Sequence, residues 1–437
     1  MTRLMRSGPL AELSGRLTNE RSRAVDAEEL AAILEAEGLT DDQARSRYGE
    51  AGLFALAEQL YAQERRARAG RPVLVQRPTF PWRLTLRGPL YLLPAVSLLL
   101  TARLAPPADR EALNLALGLA SAFGWGWSMA VARLRFLDPL GVPGRLLLQA
   151  ALLGLPLGLL LGTLGALMAG LSLPQLLLGA LACGIFSLAL GVAGALISLD
   201  RRQATLVAFV PALLVAGALP LLHGPWLLPS LPLGLGLIAL LPLVTLMLQF
   251  RRPEHRGERR LDRAALRLAI PQALYGWSVA AFFGLMALRL GSGAVLLPTV
   301  LSVGLLEGLV WHFQHRLQHQ VRHASVPQPL RGLWPLLRLS AIYFALLGTL
   351  QLLTQQLGLG SAPLALPLCS AAFLPSAWLA SQGRLRAVTL LWLLGAATLL
   401  WPPAAAPPDP AMTAVLLLPC ALLLLCWTAL HDLRAYR

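Results

Sequence analysis

The sequence contains no lysine and few charged residues of any kind. Charged residues make up 14% of its 437 positions, and all 37 basic residues are arginine. Hydrophobic residues make up 56%, and the mean hydropathy is +0.62. A soluble protein of this size could not bury so much apolar surface in its core, so the apolar excess requires lipid as a solvent. The sequence therefore predicts an integral membrane protein.

Cysteine is also scarce, and its placement argues against disulfides and zinc. All four cysteines lie inside apolar runs, without zinc-ligand spacing and without an oxidising loop in which they could pair. We interpret them as small buried residues. No secretory signal is predicted, because the first long apolar run begins only near Gly88. The four cysteines are Cys183, Cys369, Cys420 and Cys426.

Apolar runs of the length that crosses a bilayer, about 20 residues, recur twelve times. They predict an all-α fold, a polytopic membrane helix bundle of about twelve transmembrane helices. The predicted spans, numbered 1 to 12 in chain order, are 88–104, 112–132, 146–168, 175–199, 204–222, 231–250, 269–289, 293–313, 338–357, 362–382, 386–402 and 411–430.

The positions of arginine give an independent check on this number, because positive charge stays on the cytoplasmic side. With the N-terminus in the cytoplasm, 34 of the 37 arginines fall on the inner side, and only Arg103, Arg110 and Arg289 fall outside. A wrong helix count would reverse this pattern further along the chain. We therefore predict twelve spans in the cell (inner) membrane, with both termini cytoplasmic.

The predicted outer connections are short and carry hardly any ionisable groups. They leave no room for an extracytoplasmic catalytic domain. The net charge of +15 follows the inner connections, and this distribution argues against a nucleic-acid partner. The lipid bilayer is the first predicted partner.

Residues 1–70 predict a small cytoplasmic helical domain. Asp26 is expected to cap a first helix, and Thr40-Asp-Asp-Gln43 matches a capping box for a second. Two interpretations are open: a docking module for a cytoplasmic partner, and a folded cap on the inner face of the membrane whose arginines contact anionic lipid. A third helix is expected to have an apolar side formed by Leu53, Phe54, Leu56, Ala57, Leu60 and Tyr61.

A long charged connection separates the spans into two six-helix halves that share several features. Leu160-Leu-Gly-Thr-Leu164 recurs as Leu346-Leu-Gly-Thr-Leu350, 186 residues later, and Arg103 recurs as Arg289 at the same offset. Such recurrence favours an internal duplication, which is common in transporters whose halves rock against each other. The predicted segments are the front domain 1–70, a linker 71–87, the first half 88–250, a cytoplasmic loop 251–268, the second half 269–430 and a tail 431–437.

Glu307 is the only carboxylate well inside a predicted span, span 8. An ionisable group there costs on the order of 3 kcal/mol on insertion scales, so it usually faces the bundle interior or water. Two interpretations are open: a protonation or substrate-contact site, and a structural residue that is neutral or paired with a neighbouring helix. The residues that share its helical face, and could line an inward-facing vestibule, are Trp311, Gln314, His315, Gln318 and Arg322.

Four histidines lie at helical spacing beside the polar face of span 8, from its inner end onwards. Pairs of them could share a metal, but four spread over roughly 16 Å of helix axis cannot bind one ion, and no cysteine or carboxylate stands at ligand spacing. We favour a solvated cluster at the inner face and predict neither a metal nor a cofactor. The four are His312, His315, His319 and His323.

Three arginines complete the predicted substrate pathway. Arg103 and Arg289 either attract an anionic headgroup to an outer vestibule or extend towards the membrane surface. Arg133 lies at the inner end of span 2. The order of Trp127 and then Arg133 there recurs in span 8 as Trp311 and then Arg316. The predicted pathway residues are Glu307, Trp311, Gln314, His315, Arg289, Arg103 and Arg133.

The inner end of span 2 resembles the multidrug/oligosaccharidyl-lipid/polysaccharide (MOP) exporter superfamily. The residues concerned are Trp127-Ser-Met-Ala-Val-Ala-Arg133-Leu-Arg135, followed by Pro143-Gly-Arg145 at the start of span 3. The resemblance covers about residues 86–430 and is similar to the group's polysaccharide flippases. It implies a transporter or flippase that exports a lipid-linked or anionic sugar, or a polysaccharide, by alternating access.

Three alternatives stay open. Asp138-Pro-Leu-Gly141-Val-Pro-Gly-Arg145 resembles the loop motif of the major facilitator superfamily, but Leu134 replaces its leading glycine and Arg145 falls two places late. A membrane-embedded glycosyltransferase or polymerase would need catalytic groups on a sizeable loop, and the only paired aspartates on the inner side are Asp41-Asp42. A non-transporting scaffold is the last alternative. We predict a protein that is not an enzyme.

Overall fold

The computed structural model describes most of the chain, and every regular element in the described residues is a helix. The all-α prediction is therefore confirmed. The chain divides into two compact units, Met1–Thr79 with His319–Ser325, and Phe80–Gln318 with Val326–Arg437. The described residues are Leu13, Leu17, 26–70, 80–85, 87–137, 144–218, 230–250, 261–291, 293–323, 329–358, 365–400 and 416–431.

Three helices form the described part of the first unit: α1 (Ala27–Ala36), α2 (Asp41–Tyr48) and α3 (Leu53–Gly70). The expected caps are present. Asp26 accepts a hydrogen bond from the amide of Glu29 at 2.7 Å, and Thr40 forms the reciprocal capping box with its partner three residues later. Such caps satisfy amides that the first helical turn leaves without partners.

The core of this unit contains leucines from α1 and α3, and one predicted core residue lies outside it. Leu30, Leu34, Leu56 and Leu60 are fully buried. Phe54, expected on the apolar side of α3, is 62% exposed. That prediction was wrong because residues 53, 56, 57 and 60 already form a complete helical face, and position 54 is turned away from it by about 100°.

Helices lie at all twelve predicted spans of the second unit. Seven are long and apolar enough to cross a membrane, four are apolar but shorter, and the two pieces of span 8 belong to neither group. The chain is a multi-pass membrane protein. The helical segments are Trp82–Arg103, Arg110–Leu134, Gly144–Met168, Leu173–Ser198, Arg202–Ala218, Ser230–Phe250, Arg263–Arg289, Leu297–Leu301 with Val303–His323, Pro329–Gln356, Ala365–Ala371 with Phe373–Ser381, Leu385–Leu399 and Leu417–Leu430.

Spans 8 and 10 are each built from two helical pieces. Span 8 is interrupted at Ser302, and its helix continues to His323, beyond the predicted end at 313. Span 10 is interrupted at Ala372. Pro375 explains this second break, because it has no amide hydrogen to bond the carbonyl of Ala371. Such breaks are tolerated in membrane helices that are buried among others.

Spans 3 and 4 pack closely through a row of glycines. Gly154, Gly158 and Gly162 face span 4, and a Cβ added at Gly162 would lie 2.6 Å from the Cβ of Cys183 and 2.9 Å from the Cα of Ala180. Small residues let membrane helices approach until their backbones are in van der Waals contact. This packing builds the interior of the first half.

The repeated Leu-Leu-Gly-Thr-Leu segments allow a matched test of that packing. Gly162 is enclosed, whereas nothing lies within 4 Å of a Cβ added at Gly348. We expect Gly162→Val to lower the free energy of unfolding by about 1–3 kcal/mol, the usual cost of overpacking. Gly348→Val adds the same side chain in the same five-residue sequence, so it is the control. Equal losses in thermal or denaturant unfolding would contradict close packing at Gly162.

Two pairs of helices make the main contacts between the two sets of six spans. Span 2 packs against span 7, and span 1 packs against span 8. Both pairs are antiparallel: residues 123 and 126 meet 277 and 273, and residues 80 and 88 meet 308 and 304. The start of span 1 and the end of span 2 therefore lie at one end of the bundle, which we call the Arg87 end. The opposite end carries Arg103, Arg110 and Arg289, and we call it the Arg103 end.

Candidate functional site

Glu307, on span 8, faces span 1. Its Oε2 lies 3.1 Å from Nη1 of Arg87, and its Oε1 accepts a hydrogen bond from the hydroxyl of Tyr91 at 2.9 Å. The side chains of Arg87 and Glu307 are 20% and 32% exposed. Both carboxylate oxygens thus have partners on a neighbouring helix. The role of Glu307 in protonation or substrate contact stays a prediction.

Arg87 also contacts a carboxylate in its own half. Its Nη2 lies 3.5 Å from Asp200, in the turn between spans 4 and 5. Asp200 lies 3.4 Å from Nε of Arg202, which donates a hydrogen bond through Nη2 to the carbonyl of Arg83 at 2.8 Å. Arg87 therefore lies between one carboxylate of the first half and one of the second. This ion-pair network is the candidate functional site.

The backbone of Asp200 fixes one side of the network. Asp200 has φ of 54°, the left-handed conformation, and no other non-glycine residue in the described part of the chain has a positive φ. Aspartate is among the residues that tolerate this conformation best, although it is still strained. The left-handed residue ends span 4 and lets span 5 begin two residues later. Its carboxylate is held between Arg87 and Arg202.

Arg135 adds further positive charge to the Arg87 end. It lies just beyond the end of span 2. Burial lowers the pKa of its guanidinium, and the charge of nearby Arg87 lowers the pKa further, whereas Asp200 opposes the shift. A lowered pKa means that the charged form is disfavoured there. Among the described residues, this cluster contains more arginines than carboxylates, since Asp200 and Glu307 are its only described acidic residues.

Glycine brings spans 1 and 8 together beside the ion pair. A Cβ added at Gly304 would collide with the backbone nitrogen of Gly88 and would lie 2.6 Å from the carbonyl oxygen of Thr85. One turn further along span 8, the ring of Phe80 lies over Gly308. The short separation of the two backbones is what allows Arg87 and Glu307 to meet.

A second polar contact joins spans 2 and 7. The indole nitrogen of Trp277 donates a hydrogen bond to the carbonyl of Phe123 at 2.8 Å, and the two rings stack with centroids 5.7 Å apart. Gly126 and Gly276 meet beside it, where a Cβ would collide with the facing backbone. Each junction therefore combines a glycine contact with hydrogen bonding across the halves. Spans 2 and 7 share the single bond from Trp277, and spans 1 and 8 share the two bonds to Glu307.

The two junctions occupy equivalent positions in the chain. Tyr91 bonds Glu307 at one junction, and Trp277 bonds Phe123 at the other. Positions 91 and 277 are 186 residues apart, and positions 123 and 307 are 184 apart. These offsets match those of the sequence repeats. The aromatic donor and its acceptor thus have the same relation in both halves, which favours the internal duplication.

The remaining polar residues of span 8 have separate partners. The rings of Trp311 and His315 stack with centroids 3.7 Å apart. Gln314 donates a hydrogen bond to Ser381 at the end of span 10, and His312 packs near the ring of Phe80. No cluster that could hold a metal occurs in the described residues. The side chains of His319, His323 and Arg322 lie outside the described part.

None of the three predicted pathway arginines is a member of the ion-pair network. Arg289 donates from Nε to the carbonyl of Leu399 at 2.9 Å, at the end of span 11. Arg133 is exposed on span 2. Arg103 lines a cavity of about 620 Å³ at the Arg103 end, between spans 1, 2 and 5. The structure does not bring these three together with Glu307.

Sequence reasoning identified Glu307 but none of its partners. Arg87 is the last residue of the predicted linker 71–87, and Tyr91 lies within the apolar run of span 1, so neither was identified as a partner. A signal for Asp200 was present, because it is one of very few acidic residues in the first six spans and their connections. The packing of span 1 against span 8, on which these contacts depend, could not be predicted from the sequence.

Three solved structures align with most of the chain. Two are described as a MATE in complex with MaD3S and a MATE in complex with Br-NRF, and the third as an outward-facing multidrug resistance MATE family transporter of the MOP superfamily. They are 15%, 15% and 14% identical, with TM-scores of 0.48, 0.47 and 0.47. The alignments cover 80%, 81% and 80% of this chain and 94%, 98% and 94% of theirs. No protein-family model and no curated protein matches the chain.

Proposed function

We propose that the chain is a transporter or flippase whose two halves move against each other by alternating access. The observation that carries this proposal is the position of Arg87 between Asp200 of its own half and Glu307 of the other. The Arg87–Glu307 pair closes the Arg87 end. Opening that end breaks the pair and exposes the surfaces of spans 1 and 8 to water.

The energetics of the network suit a contact that must be broken in each cycle. A partly exposed ion pair contributes little net stability, because the attraction between the charges is offset by their desolvation. Removal of one partner is costly only when it leaves a buried charge alone. Arg87 keeps Asp200 when it leaves Glu307, so its charge stays compensated in both conformations.

The distribution of arginines supports one orientation of the chain in the membrane. Their distribution supports a cytoplasmic location for the Arg87 end and for both termini, in the inner membrane. The front domain would then lie in the cytoplasm, where a partner could bind it. Anionic lipid on the cytoplasmic leaflet would also favour the excess of positive charge at this end.

The cargo that the sequence supports best is a lipid-linked sugar or a polysaccharide. This assignment rests on the resemblance of span 2 and its following connection to the MOP exporters. A major-facilitator-type transporter is the second candidate, on the weaker loop motif that ends at Arg145. The bare outer connections favour both over an enzyme.

Transport by purified protein tests the proposal. We expect the chain in proteoliposomes to move a fluorescent polyprenyl-diphosphate sugar between leaflets. Glu307→Gln should lower the rate about tenfold, which corresponds to about 1.4 kcal/mol lost from the state closed at the Arg87 end. The readout is the fraction of probe accessible to a membrane-impermeant quencher over time.

Two comparisons complete this test. Arg386→Gln removes a charge from an exposed position outside the network and should leave the rate unchanged. A fluorescent phosphatidylcholine should not move faster than in protein-free liposomes. If wild-type protein moves neither the sugar probe nor a panel of soluble substrates, the transporter proposal is wrong. If Glu307→Gln and wild type transport alike at every pH, the role of the ion pair is wrong.

A further inference from the structure

The cavity at the Arg103 end combines positive charge with an apolar wall. Its volume of about 620 Å³ lies within the usual range for small-molecule sites, roughly 300–1,000 Å³. It lies between spans 1, 2 and 5, all in the first half. The residues that define it are Arg103, Arg110, Asn114, Leu99, Leu100 and Gly217.

Three side chains supply hydrogen-bond donors to the cavity. Arg103, Arg110 and Asn114 are exposed. Within the described part of the chain, Arg103 makes no hydrogen bond or ion pair, and Arg110 has only a long bond, 3.4 Å, from Nε to the carbonyl of Ala105. The terminal nitrogens of both guanidinium groups are therefore available. Asp109 and Glu111 flank Arg110 in sequence but do not line the cavity.

The apolar part of the lining, one turn before Arg103 on span 1, suits a hydrocarbon chain. Leu99 and its neighbour Leu100 on span 1 both line the cavity, and Leu99 is 40% exposed. Across from them, a Cβ added at Gly217 would meet only the Cδ1 atom of Leu100, at 4.0 Å. The space beside Gly217 is therefore open to the cavity.

We propose that this cavity binds the phosphate headgroup of a membrane lipid. The guanidinium groups of Arg103 and Arg110 bind the phosphate oxygens, a pairing that their planar, multidentate geometry favours. The Asn114 amide donates to the same headgroup, and the first acyl or prenyl segment lies against Leu99 and Leu100. The site lies at the end opposite the Arg87–Glu307 pair, and binding there does not depend on transport.

Binding to purified full-length protein in neutral detergent tests the site with three probes. Fluorescent phosphatidylglycerol carries both a phosphate and hydrocarbon chains, diacylglycerol carries the chains alone, and inorganic phosphate carries the anion alone. We expect saturable binding of phosphatidylglycerol at one site. Diacylglycerol should bind at least about tenfold more weakly, since a charge-assisted hydrogen bond contributes about that factor or more. Inorganic phosphate should compete only at millimolar concentration.

Matched variants locate the binding. Arg103→Gln and Arg110→Gln should each weaken phosphatidylglycerol about tenfold, and the double variant should bind it no better than diacylglycerol. Gly217→Leu should abolish binding by filling the cavity. Gly348→Leu and Arg386→Gln make the same changes at positions that do not line this cavity, and both should bind like wild type.

Several outcomes would overturn the proposal. Unchanged binding by the double arginine variant would mean that Arg103 and Arg110 only extend to the membrane surface. Equal affinity for diacylglycerol would make the site purely apolar, and micromolar competition by inorganic phosphate would make a free anion the ligand. If Gly217→Leu does not elute as a single folded species, the exposed arginine variants still decide. Binding without transport would refute only the transporter proposal.

Discussion

Arg87→Gln should destabilise the protein more than any other single neutralisation at the Arg87 end. The substitution leaves two carboxylates, Glu307 and Asp200, without the cation that lies between them. Loss of one partner from a largely buried pair costs about 3–5 kcal/mol. The pair is 20% and 32% exposed, so solvent screening reduces this to about 2–3 kcal/mol. Denaturant unfolding in detergent measures the change.

Glu307→Gln should cost less, because Arg87 keeps Asp200 and the amide can still accept from Tyr91. The double variant Arg87→Gln/Glu307→Gln should then be more stable than the sum of the two single losses, by a coupling of about 1–2 kcal/mol. Arg386→Gln is the control for the loss of one arginine charge. Strict additivity would show that the Arg87–Glu307 contact contributes no pairwise stability. A larger loss for Glu307→Gln than for Arg87→Gln would show that Asp200 does not compensate the charge of Arg87.

Rising salt concentration should weaken the contact of Arg87 with Asp200 more than its contact with Glu307. Asp200 is 52% exposed and lies 3.5 Å away, whereas Glu307 is less exposed and lies 3.1 Å away. Screening acts mainly on exposed charges. The Arg87–Asp200 contact is therefore the weaker of the two, and the contact that crosses the halves dominates the coupling.

The positions of the helices could be predicted from sequence because a helix that crosses a bilayer must have a certain length and an apolar composition. Runs of apolar residues and the alternation of arginine both report on the bilayer, not on contacts between helices. The same reasoning identified Glu307, since a carboxylate in an apolar run is rare. It could not identify Arg87 or Asp200 as its neighbours, because those pairings depend on how helices far apart in sequence pack.

In the front unit and in span 8, features that depend on neighbouring residues could be predicted from sequence, whereas contacts between helices could not. The caps at Asp26 and Thr40 follow from bonds across three residues and were confirmed. The burial of Phe54 depended on how wide the core face of α3 is, and its prediction was wrong. The helical face that holds Glu307 and Gln314 is continuous in sequence, yet the two side chains bond to different helices.

The repeated segments show how far a duplication can mislead. Gly162 and Gly348 stand in the same five-residue sequence, but only Gly162 contacts a neighbouring helix. The junctions preserve the symmetry better, with an aromatic donor crossing the halves in each. One junction has gained a charge pair that the other lacks. In the described residues, the two junctions therefore share a glycine contact and an aromatic donor, whereas a charge pair is found only between spans 1 and 8.

Gly304→Val should force spans 1 and 8 apart and break the ion pair without removing either charge. An added Cβ would meet three backbone atoms of span 1, in Gly88, Thr85 and Leu84, and none of them can rotate away. We expect a loss of about 3 kcal/mol or more in the free energy of unfolding, at the upper end for overpacking. Gly348→Val, which meets nothing, should cost much less.

Spin labels can follow the same separation directly. Leu206 on span 5 and Arg316 on span 8 are exposed near the Arg87 end, so both positions can carry a label. Cys420 is exposed too, contrary to the expectation that all four cysteines are buried. Leu206→Cys and Arg316→Cys are therefore introduced in a Cys420→Ala background. Gly304→Val should shift their distance distribution to longer values, and Glu307→Gln should shift it in the same direction by a smaller amount. Because Gly304→Val already separates Arg87 from Glu307, adding Glu307→Gln should then lower stability by much less than it does in the wild-type background. Full additivity of the two substitutions would mean that the glycine contact and the ion pair act independently, and that the Arg87 end is not closed by them as one unit.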